Sequence, residues 1–431
     1  MSNKEKTPLI PKLRFPEFRG AGEWSASQLI DLSHAGLSNG VFKDPKKVGA
    51  GYKLINVGDM YIDTTIVEER LSLLTLSVSD FQANQVRHGD IFFTRSSLVK
   101  SGIAVSNIYL GNSNDVTFDG HLIRFRANTN TVAPLFAHYL FKTTPVREQL
   151  VARGKSGTMT TIGQSDVGGV MLSYPDINEQ GHVADCLSSL DELIAAQARK
   201  VDALKTHKKG LMQQLFPREG ETQPRLRCPE FGDAPDWENG SLSSIFETTS
   251  GGTPSRTEAG YWGGDIPWIT TSLVNFGVIN GAEEFITKNG LNNSSAKLLP
   301  KGTVLIAMYG QGKTRGQVAL LDVEATTNQA CAAVRPKQGI NPYFVFLNLA
   351  GRYDEFRRLS NSGGQENLSQ GLIREFPFAY PLDEDEQKRI ADCLTSLDTL
   401  IAAATQELET LKTHKKGLMQ QLFPSAEAVE A

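Results

Sequence analysis

Two long stretches of the chain place apolar residues at alternating steps of four and three. In the second stretch these residues are Ile390, Leu394, Leu397, Ile401, Ala404, Leu408, Leu411, Leu418 and Leu422. The first stretch has Val183, Leu187, Leu190, Ile194, Val201, Leu204, Leu211 and Leu215. Only Gln197, Lys208 and Lys415 interrupt the pattern, whose period of about 3.5 residues is typical of a coiled coil. The predicted seam consists of Leu187, Leu190, Ile194, Val201, Leu204, Leu394, Leu397, Ile401, Leu408 and Leu411.

The helices carrying this seam are predicted to span 176–217 and 383–424. Asp176 with Glu179, and Asp383 with Glu386, resemble capping boxes at the two helix starts. Prolines at 217 and 424 end the helices. At about 1.5 Å per residue, each helix would be roughly 50–60 Å long.

The two stretches are copies of each other. Residues 184–217 and 391–424 align without a gap at an offset of 207, and 25 of the 34 positions are identical. A second repeat, PKLRFPEFRGAGEW at 11–24 and PRLRCPEFGDAPDW at 224–237, precedes each diverged region. Matching seams on one chain favour pairing of the two helices, in either the parallel or the antiparallel sense. The alternative is that each helix packs only on its own domain.

The diverged regions are predicted to be mixed α/β domains. Buried strands are expected at 52–57, 89–94 and 302–307, and helices are expected to begin at Pro134 and Pro342. The predicted fold class is therefore α+β, with two globular domains joined by two long helices. The predicted divisions are 1–24 for the first motif, 25–175 for the first domain, 176–217 for the first helix, 218–238 for a linker with the second motif, 239–382 for the second domain, 383–424 for the second helix and 425–431 for a tail.

The net charge of −4 is unevenly distributed. Residues 83–155 contain nine Lys or Arg against four acidic residues, and residues 298–375 contain nine against six. Basic regions on an acidic chain fit a DNA-contacting face, although ordinary surface variation would produce them too.

Two pairs of glycine-containing loops carry side chains suited to DNA. Arg and Lys contact phosphate and guanine, and Asn and Gln bind adenine. The alternative is that they are ordinary polar surface loops. The candidate DNA-binding residues are Arg95, Ser96, Ser97, Lys100, Lys155, Thr158, Thr160, Tyr309, Gln311, Lys313, Thr314, Arg315, Gln365 and Asn367.

Signals for other chemistry are weaker. Residues 307–314 read AMYGQGKT, a loose phosphate-loop pattern, but such a loop must open a helix, and a strand is expected to resume soon after it. Asn341-Pro342-Tyr343 resembles an amino-methyltransferase motif without its second proline. The histidines form no HExxH pattern and the four cysteines form no CxxC pair, so neither a metal site nor catalytic residues are predicted. No membrane span or secretory signal is expected, which indicates a cytoplasmic protein with reduced thiols.

The repeated segments resemble those of the specificity subunits of type I restriction-modification systems. The resemblance rests on three features: the L-R-[FC]-P-E-F…W motifs at 13–24 and 226–237, the Glu-Gln pairs at 179–180 and 386–387, and the KKGLMQQLFP ends at 208–217 and 415–424. The order of repeated and diverged segments extends the resemblance over almost the whole chain.

This resemblance implies a non-catalytic DNA-recognition subunit. Each diverged domain would read one half of an asymmetric, bipartite DNA site, and the helices would form an antiparallel coiled coil that sets the spacer. Double-stranded DNA, two methyltransferase subunits and restriction-translocase subunits would be the partners. S-adenosylmethionine, ATP and Mg would belong to those partners, and this chain would hold no cofactor. The alternatives are an assembly scaffold that reads no DNA and an enzyme that binds nucleotide through residues 307–314.

Overall fold

The computed structural model describes residues 9–42, 44–218, 220–310, 313–361 and 368–424. They form two compact units. One unit comprises residues up to 199 together with those from 405 onward, and the other comprises residues 200–404. Each unit therefore contains one diverged domain and one part of each repeated helix.

The first unit contains eleven strands and four short helices in the described residues, followed by the start of the first long helix. The strands are β1 (Ser25–Gln28), β2 (Ser33–Asn39), β3 (Val48–Ile55), β4 (Ser72–Leu74), β5 (Ile91–Thr94), β6 (Ser96–Ser97), β7 (Ser106–Ile108), β8 (Val116–Phe118), β9 (Leu122–Ala127), β10 (Thr160–Thr161) and β11 (Met171–Tyr174). The helices are α1 (Val78–Asn84), α2 (Pro134–Leu140), α3 (Thr144–Arg153), α4 (Gln164–Gly168) and the long α5 (Ile177–Leu215), which continues into the second unit.

The second unit repeats this plan. Its strands are β12 (Glu238–Ser241), β13 (Glu247–Ser250), β14 (Trp262–Ile269), β15 (Val278–Ile279), β16 (Glu284–Ile286), β17 (Val304–Ala307), β18 (Val318–Leu321), β19 (Thr326–Thr327), β20 (Cys331–Arg335) and β21 (Pro377–Tyr380). Its helices are α6 (Leu242–Ile245), α7 (Lys288–Asn292), α8 (Pro342–Gly351), α9 (Tyr353–Asn361), α10 (Gln370–Arg374) and the long α11 (Glu384–Leu422), which continues into the first unit.

The main sheets of the two units share an order of four strands, to which the second unit adds β15 at one edge. The order is β2-β9-β5-β7 in the first unit and β13-β20-β17-β18-β15 in the second. The central strands β5 and β17 are buried along their whole length, as their apolar sequences require. Each follows a glycine with a left-handed φ, Gly89 or Gly302. A Cβ there would lie 3.1–3.2 Å from the ring of Pro134 or Pro342, so glycine suits both the turn and the close packing.

Both α2 and α8 begin with proline at the first helical position, as predicted. They cover the sheets and form aromatic cores. In the first unit, Phe136 and Phe141 pack with Leu187 of α5 and Phe423, which follows α11. In the second unit the core includes Phe344 and Phe378 and, from the long helices, Phe216 just after α5 and Leu394 of α11. Each domain is thus packed on residues from both copies of the repeated segment.

The two long helices pack together in the antiparallel sense. In the first unit, Lys415 of α11 pairs with Asp191 of α5, and Gln197 Nε2 donates to Glu407 Oε2 at 2.8 Å. In the second unit, Lys208 of α5 pairs with Asp398 of α11 at 2.5 Å. Residues later in α5 pair with residues earlier in α11, so the two helices run antiparallel. The alternative that each helix packs only on its own domain is therefore wrong.

Each of the ten seam residues is at least partly buried. Leu187, Leu190, Val201, Leu394 and Leu408 are buried, and Ile194, Leu204, Leu397, Ile401 and Leu411 are partly buried. Two leucines off the seam, Leu193 and Leu400, remain 57% and 54% exposed. The 3.5-residue period therefore identified the inward face of each helix.

Candidate nucleic-acid interface

The first unit brings its two predicted DNA-binding loops together as a two-stranded ribbon. β6 pairs antiparallel with β10, with Ser96 opposite Thr161 and Ser97 opposite Thr160. Hydrogen bonds extend the ribbon: Ile162 N–H donates to the Arg95 carbonyl, and Lys155 N–H donates to the Thr161 carbonyl. Residues more than sixty positions apart in the chain thus share one surface.

Basic side chains flank this ribbon. Arg95, Lys100, Lys155 and Thr158 are exposed, and Ser96 and Ser97 are partly exposed. Thr160, in contrast, is only 6% exposed and therefore belongs to the interior of the ribbon rather than to a contact surface.

A pocket of about 490 Å³ opens beside the ribbon, lined in part by Phe42, Arg95, His121, Lys155 and Asp166. Asp166 is the acidic member of this lining and pairs with Lys155 at 3.1 Å. Burial by itself would raise the pKa of Asp166, but the Gly163 N–H and the Lys155 ammonium lower it, so this carboxylate stays ionised. The pocket surface therefore combines cationic, aromatic and hydrogen-bonding groups.

The second unit carries its corresponding loop between β17 and β18. Tyr309 is 41% exposed and Lys313 is exposed, whereas Thr314 and Arg315 are partly buried. The Tyr353 hydroxyl donates to the Lys313 carbonyl at 2.6 Å and holds that part of the loop on α9. Among the other predicted contacts, Gln311, Gln365 and Asn367 lie outside the described residues.

In the second unit, the residue that follows the second predicted loop is bonded to the residue that precedes Tyr309. Leu368 N–H donates to the Met308 carbonyl at 3.1 Å. This bond is the counterpart of the Ile162-to-Arg95 bond in the first unit. The described residues thus show the same backbone connection in both units.

The nucleotide-binding alternative is not supported by the fold around Lys313. β17 and β18 pair antiparallel as neighbours, with Ile306 opposite Val318. Residues 313–317 form turns that lead directly into β18, so no helix opens at the described end of this loop. A phosphate loop depends on the amide groups of such a helix start.

Part of the basic charge of residues 83–155 is engaged in contacts within the protein. Arg126 pairs with Asp90 at 2.6 Å, and Arg147 donates to the carbonyls of Ser101, Ile103 and Ala104. Burial lowers the pKa of Arg124, whose guanidinium lies over the Phe118 ring and donates to the Gln85 carbonyl. A count of charges along the sequence therefore overstates the basic surface of the first unit.

The repeated arginines have a structural role that was not predicted from the sequence. Arg14 binds both carboxylate oxygens of Glu179, at 2.8 and 2.6 Å, in a pair whose side chains are only 8% and 1% exposed. The capping-box prediction is therefore wrong for Glu179, because its oxygens face Arg14 instead of the helix start. Asp176 alone caps α5, by accepting from the N–H groups of Asn178 and Glu179.

The same ion pair recurs in the second unit. Arg227 binds both oxygens of Glu386 at 2.7 Å, and Trp237 Nε1 donates to the same carboxylate at 3.1 Å. Gln180 and Gln387, the residues after these glutamates, accept from the N–H groups of Ala133 and Asn341 at the starts of α2 and α8. The repeated motifs are thus structural anchors that fix each domain to a long helix. In the sequence, this anchoring role could have been recognised from the repetition of the Arg together with the Glu-Gln pair.

The described residues contain no cluster of three or more His, Cys, Asp or Glu side chains that could hold a metal ion. Neither α5, α11 nor any other described helix is long and apolar enough to cross a bilayer.

Comparison with known proteins shows which proteins this chain resembles. Residues 235–413 match the family model described as "Type I restriction modification DNA specificity domain". The fold resembles the crystal structure of a type I restriction-modification S subunit from M. genitalium, with a TM-score of 0.57 and 17% identity over 97% of this chain and 100% of that one.

Two relatives from Methanocaldococcus jannaschii extend the match. The chain is 32% identical to the type I restriction enzyme MjaIX specificity subunit over 215 residues, which cover 48% of this chain and about half (49%) of that subunit. It is 23% identical to the putative MjaX specificity subunit over 93% of both chains. The chain is thus similar to specificity subunits of type I restriction enzymes, and its residues 235–413 match the family's DNA specificity domain.

Proposed function

We propose that this chain reads an asymmetric, bipartite DNA site, with one half-site contacted by each unit. The observation that carries this proposal is that two unlike domains are fixed to the same pair of helices through the same Arg–Glu and Gln contacts. A protein that presents two different loop surfaces on one repeated frame is suited to reading two different sequences. The match of residues 235–413 to a DNA specificity domain supports DNA as the ligand.

The half-site assignment is tested with single substitutions in each unit. Arg95→Ala or Lys155→Ala should weaken or relax recognition of one half-site, and Lys313→Ala or Arg315→Ala should affect the other. Each lost base contact should cost on the order of 1–3 kcal/mol. The measurement is sequencing of methylated sites in cells that carry the complete complex. The two sets of variants serve as controls for each other, and equal damage to both half-sites would contradict the proposal.

We propose further that the long helices set the number of base pairs between the half-sites. Both α5 and α11 are uninterrupted over 39 residues and carry the same seam, which supports this role. Inserting one matched heptad into each helix adds about 10.5 Å, which corresponds to roughly three base pairs. The modified site should then have a longer spacer and unchanged halves. An unchanged spacer in a folded variant would exclude the helices as the determinant of spacing.

Methyltransferase subunits are the proposed protein partners, with restriction-translocase subunits joining that complex. A groove of about 1120 Å³ in the second unit is a candidate docking surface, lined in part by Lys205, Lys209 and Met212 of α5 and by Tyr343 and Phe346 of α8. Met212→Asp should weaken binding of a purified methyltransferase subunit, measured by calorimetry, with exposed His207→Asp as the control. Equal affinity of the two variants would exclude this groove.

We assign the chemistry of modification and cleavage to the partners. S-adenosylmethionine, ATP and Mg would bind to those subunits, and this chain would contribute recognition without a catalytic residue. Purified alone, the chain should neither methylate DNA nor hydrolyse ATP. ATP turnover that Lys313→Ala abolishes would instead support the nucleotide-binding alternative.

A further inference from the structure

The ribbon of the first unit ends in an exposed apolar tip. Leu98 follows β6 and Met159 precedes β10, so the antiparallel register places them at the same end of the ribbon. The exposed fractions are 83% for Leu98, 61% for Val99 and 40% for Met159. We define Leu98, Val99 and Met159 as the ribbon tip.

The backbone on the β6 side of the tip is held in place. Val99 N–H donates to Ser97 Oγ at 3.2 Å, and Gly102 N–H donates to the Val99 carbonyl at 3.0 Å. Arg147 fixes the end of this turn through the carbonyls of Ser101, Ile103 and Ala104. The apolar side chains are therefore displayed by a constrained turn, which lowers the entropy lost when a ligand covers them.

The surroundings of the tip indicate a polyanionic occupant. Arg95 and Lys100 lie on either side of the Ser96–Val99 segment, and Lys155 bonds to the β10 strand through the Thr161 backbone. All three cationic side chains are exposed. Cations beside an apolar tip match a duplex, in which phosphates line a groove that contains base edges.

The shape of the ribbon indicates which groove of DNA it would enter. The major groove of B-DNA admits a two-stranded β-ribbon, and the apolar group it presents is the 5-methyl of thymine. We propose that the ribbon tip makes apolar contact with a thymine methyl group in the first half-site. Leu98 is the principal residue because it is the most exposed member of the tip. This inference rests on the proposed reading of DNA by the first unit.

The test couples a protein substitution to removal of one DNA methyl group. After the first half-site has been mapped, synthetic duplexes carry uracil in place of each of its thymines in turn. For the complete complex, one such replacement should weaken binding about 3–5-fold, as expected for burial of one methyl group. Leu98→Ala should weaken binding to the thymine duplex by at least the same factor, and it should remove most of the difference between thymine and uracil.

The matched control is Val78→Ala, because Val78 is 63% exposed at the start of α1 and is not part of the ribbon. This variant should keep the full thymine–uracil difference. A uracil effect of the same size in Leu98→Ala and in the unsubstituted protein would overturn the proposal. A first half-site without any A·T pair would do the same.

A further variant separates failure of this inference from failure of the proposed function. Arg95→Ala should weaken binding to thymine and uracil duplexes by the same factor. If Arg95→Ala impairs the first half-site while Leu98→Ala and Met159→Ala do not, the unit reads DNA without the apolar contact. If none of the three variants changes recognition of either half-site, this surface of the first unit does not contact DNA. Either result rejects the tip as a base-reading element.

Discussion

Among single residues, Glu68 provides the clearest link between sequence, charge and stability. Its carboxylate accepts from Lys53 Nζ at 2.7 Å, from the buried Tyr109 hydroxyl at 2.6 Å and from the Ser113 hydroxyl. The Lys53 hydrogen bond is the largest cause that lowers the pKa of Glu68, and together with Ser113 and Tyr109 it brings the pKa to about 2. The ionised form of Glu68 therefore stabilises the first unit.

Replacing Glu68 with Gln should remove this pH-dependent stabilisation. A lowered carboxylate pKa contributes stability that is complete above the unfolded value of 4.5 and is lost as the pH falls toward about 2. Glu68→Gln should therefore be less stable than the unsubstituted chain at pH 7, by on the order of 1–2 kcal/mol after allowance for solvent screening. The difference should shrink between pH 4.5 and pH 2.

Urea unfolding, monitored by hydrogen exchange of the amide groups in the first unit, would measure this difference in stability. Exposed Glu69, the next residue in the chain, provides the control, and Glu69→Gln should leave the pH profile unaltered. A constant difference between Glu68→Gln and the unsubstituted chain across this pH range would contradict the explanation.

For individual residues, the sequence predicted the chemistry of the side chains better than their positions in the fold. Arg95 and Lys155 were identified as candidate contacts, and they share one ribbon although the sequence separates them widely. Arg126 and Arg147 have the same charge but serve internal contacts. Composition cannot separate these groups, because the distinction depends on which carboxylates and carbonyls the fold brings within hydrogen-bonding distance.

Among the secondary-structure elements, α5 and α11 show why the seam contains polar residues. Lys208 and Lys415 interrupt the apolar pattern, yet each pairs with an aspartate on the opposite helix. Both lysines and both aspartates are related by the 207-residue repeat. The sequence identified the seam from its period, but it left the sense of pairing open because an apolar period by itself does not encode direction. These ion pairs fit the antiparallel alignment.

Reversing one of these charges should destabilise the helix pair. Asp398→Lys places two ammonium groups together in a partly buried site and should lower the stability by about 2–4 kcal/mol. The double variant Lys208→Asp with Asp398→Lys should recover most of the loss, because it restores an ion pair at the same position. Thermal unfolding monitored by helical circular dichroism would show both effects.

Lys209→Asp tests whether the effect is specific to the seam, because Lys209 is exposed and adjacent to Lys208 in sequence. This control should change the melting temperature little. A double variant no more stable than Asp398→Lys would show that the ion pair does not fix the alignment.

Across the whole molecule, the same backbone bond connects motif and helix in both units. Leu226 N–H donates to the Gln214 carbonyl in the second unit, and Leu13 N–H donates to the Gln421 carbonyl in the first, each at 2.9 Å. The first pair is close in sequence, whereas the second joins residues near the two ends of this chain. Equivalent backbone contacts therefore attach the repeated motif to the repeated helix in each unit.

A circular permutant tests whether these two contacts are equivalent. Joining residue 431 to residue 1 and opening the chain within 218–223 should preserve the melting temperature to within a few degrees and leave the methylated site unchanged. Opening the chain between Arg199 and Lys200, in the interior of α5, should instead lower stability strongly, because it cuts a continuous helix. If the first permutant failed to fold while the second folded, the two junctions would not be equivalent.

The repeated Arg–Glu–Gln anchor also has an evolutionary consequence. Two domains of different sequence are already held by the same Arg–Glu–Gln contacts. A gene segment that encodes a new domain with these contacts could therefore replace either of them. Specificity could then change one half at a time, and a small pool of interchangeable modules would generate target sites in number close to the square of its size. Selection for new targets would change the loops and leave the repeated helices and their Arg–Glu–Gln contacts unchanged.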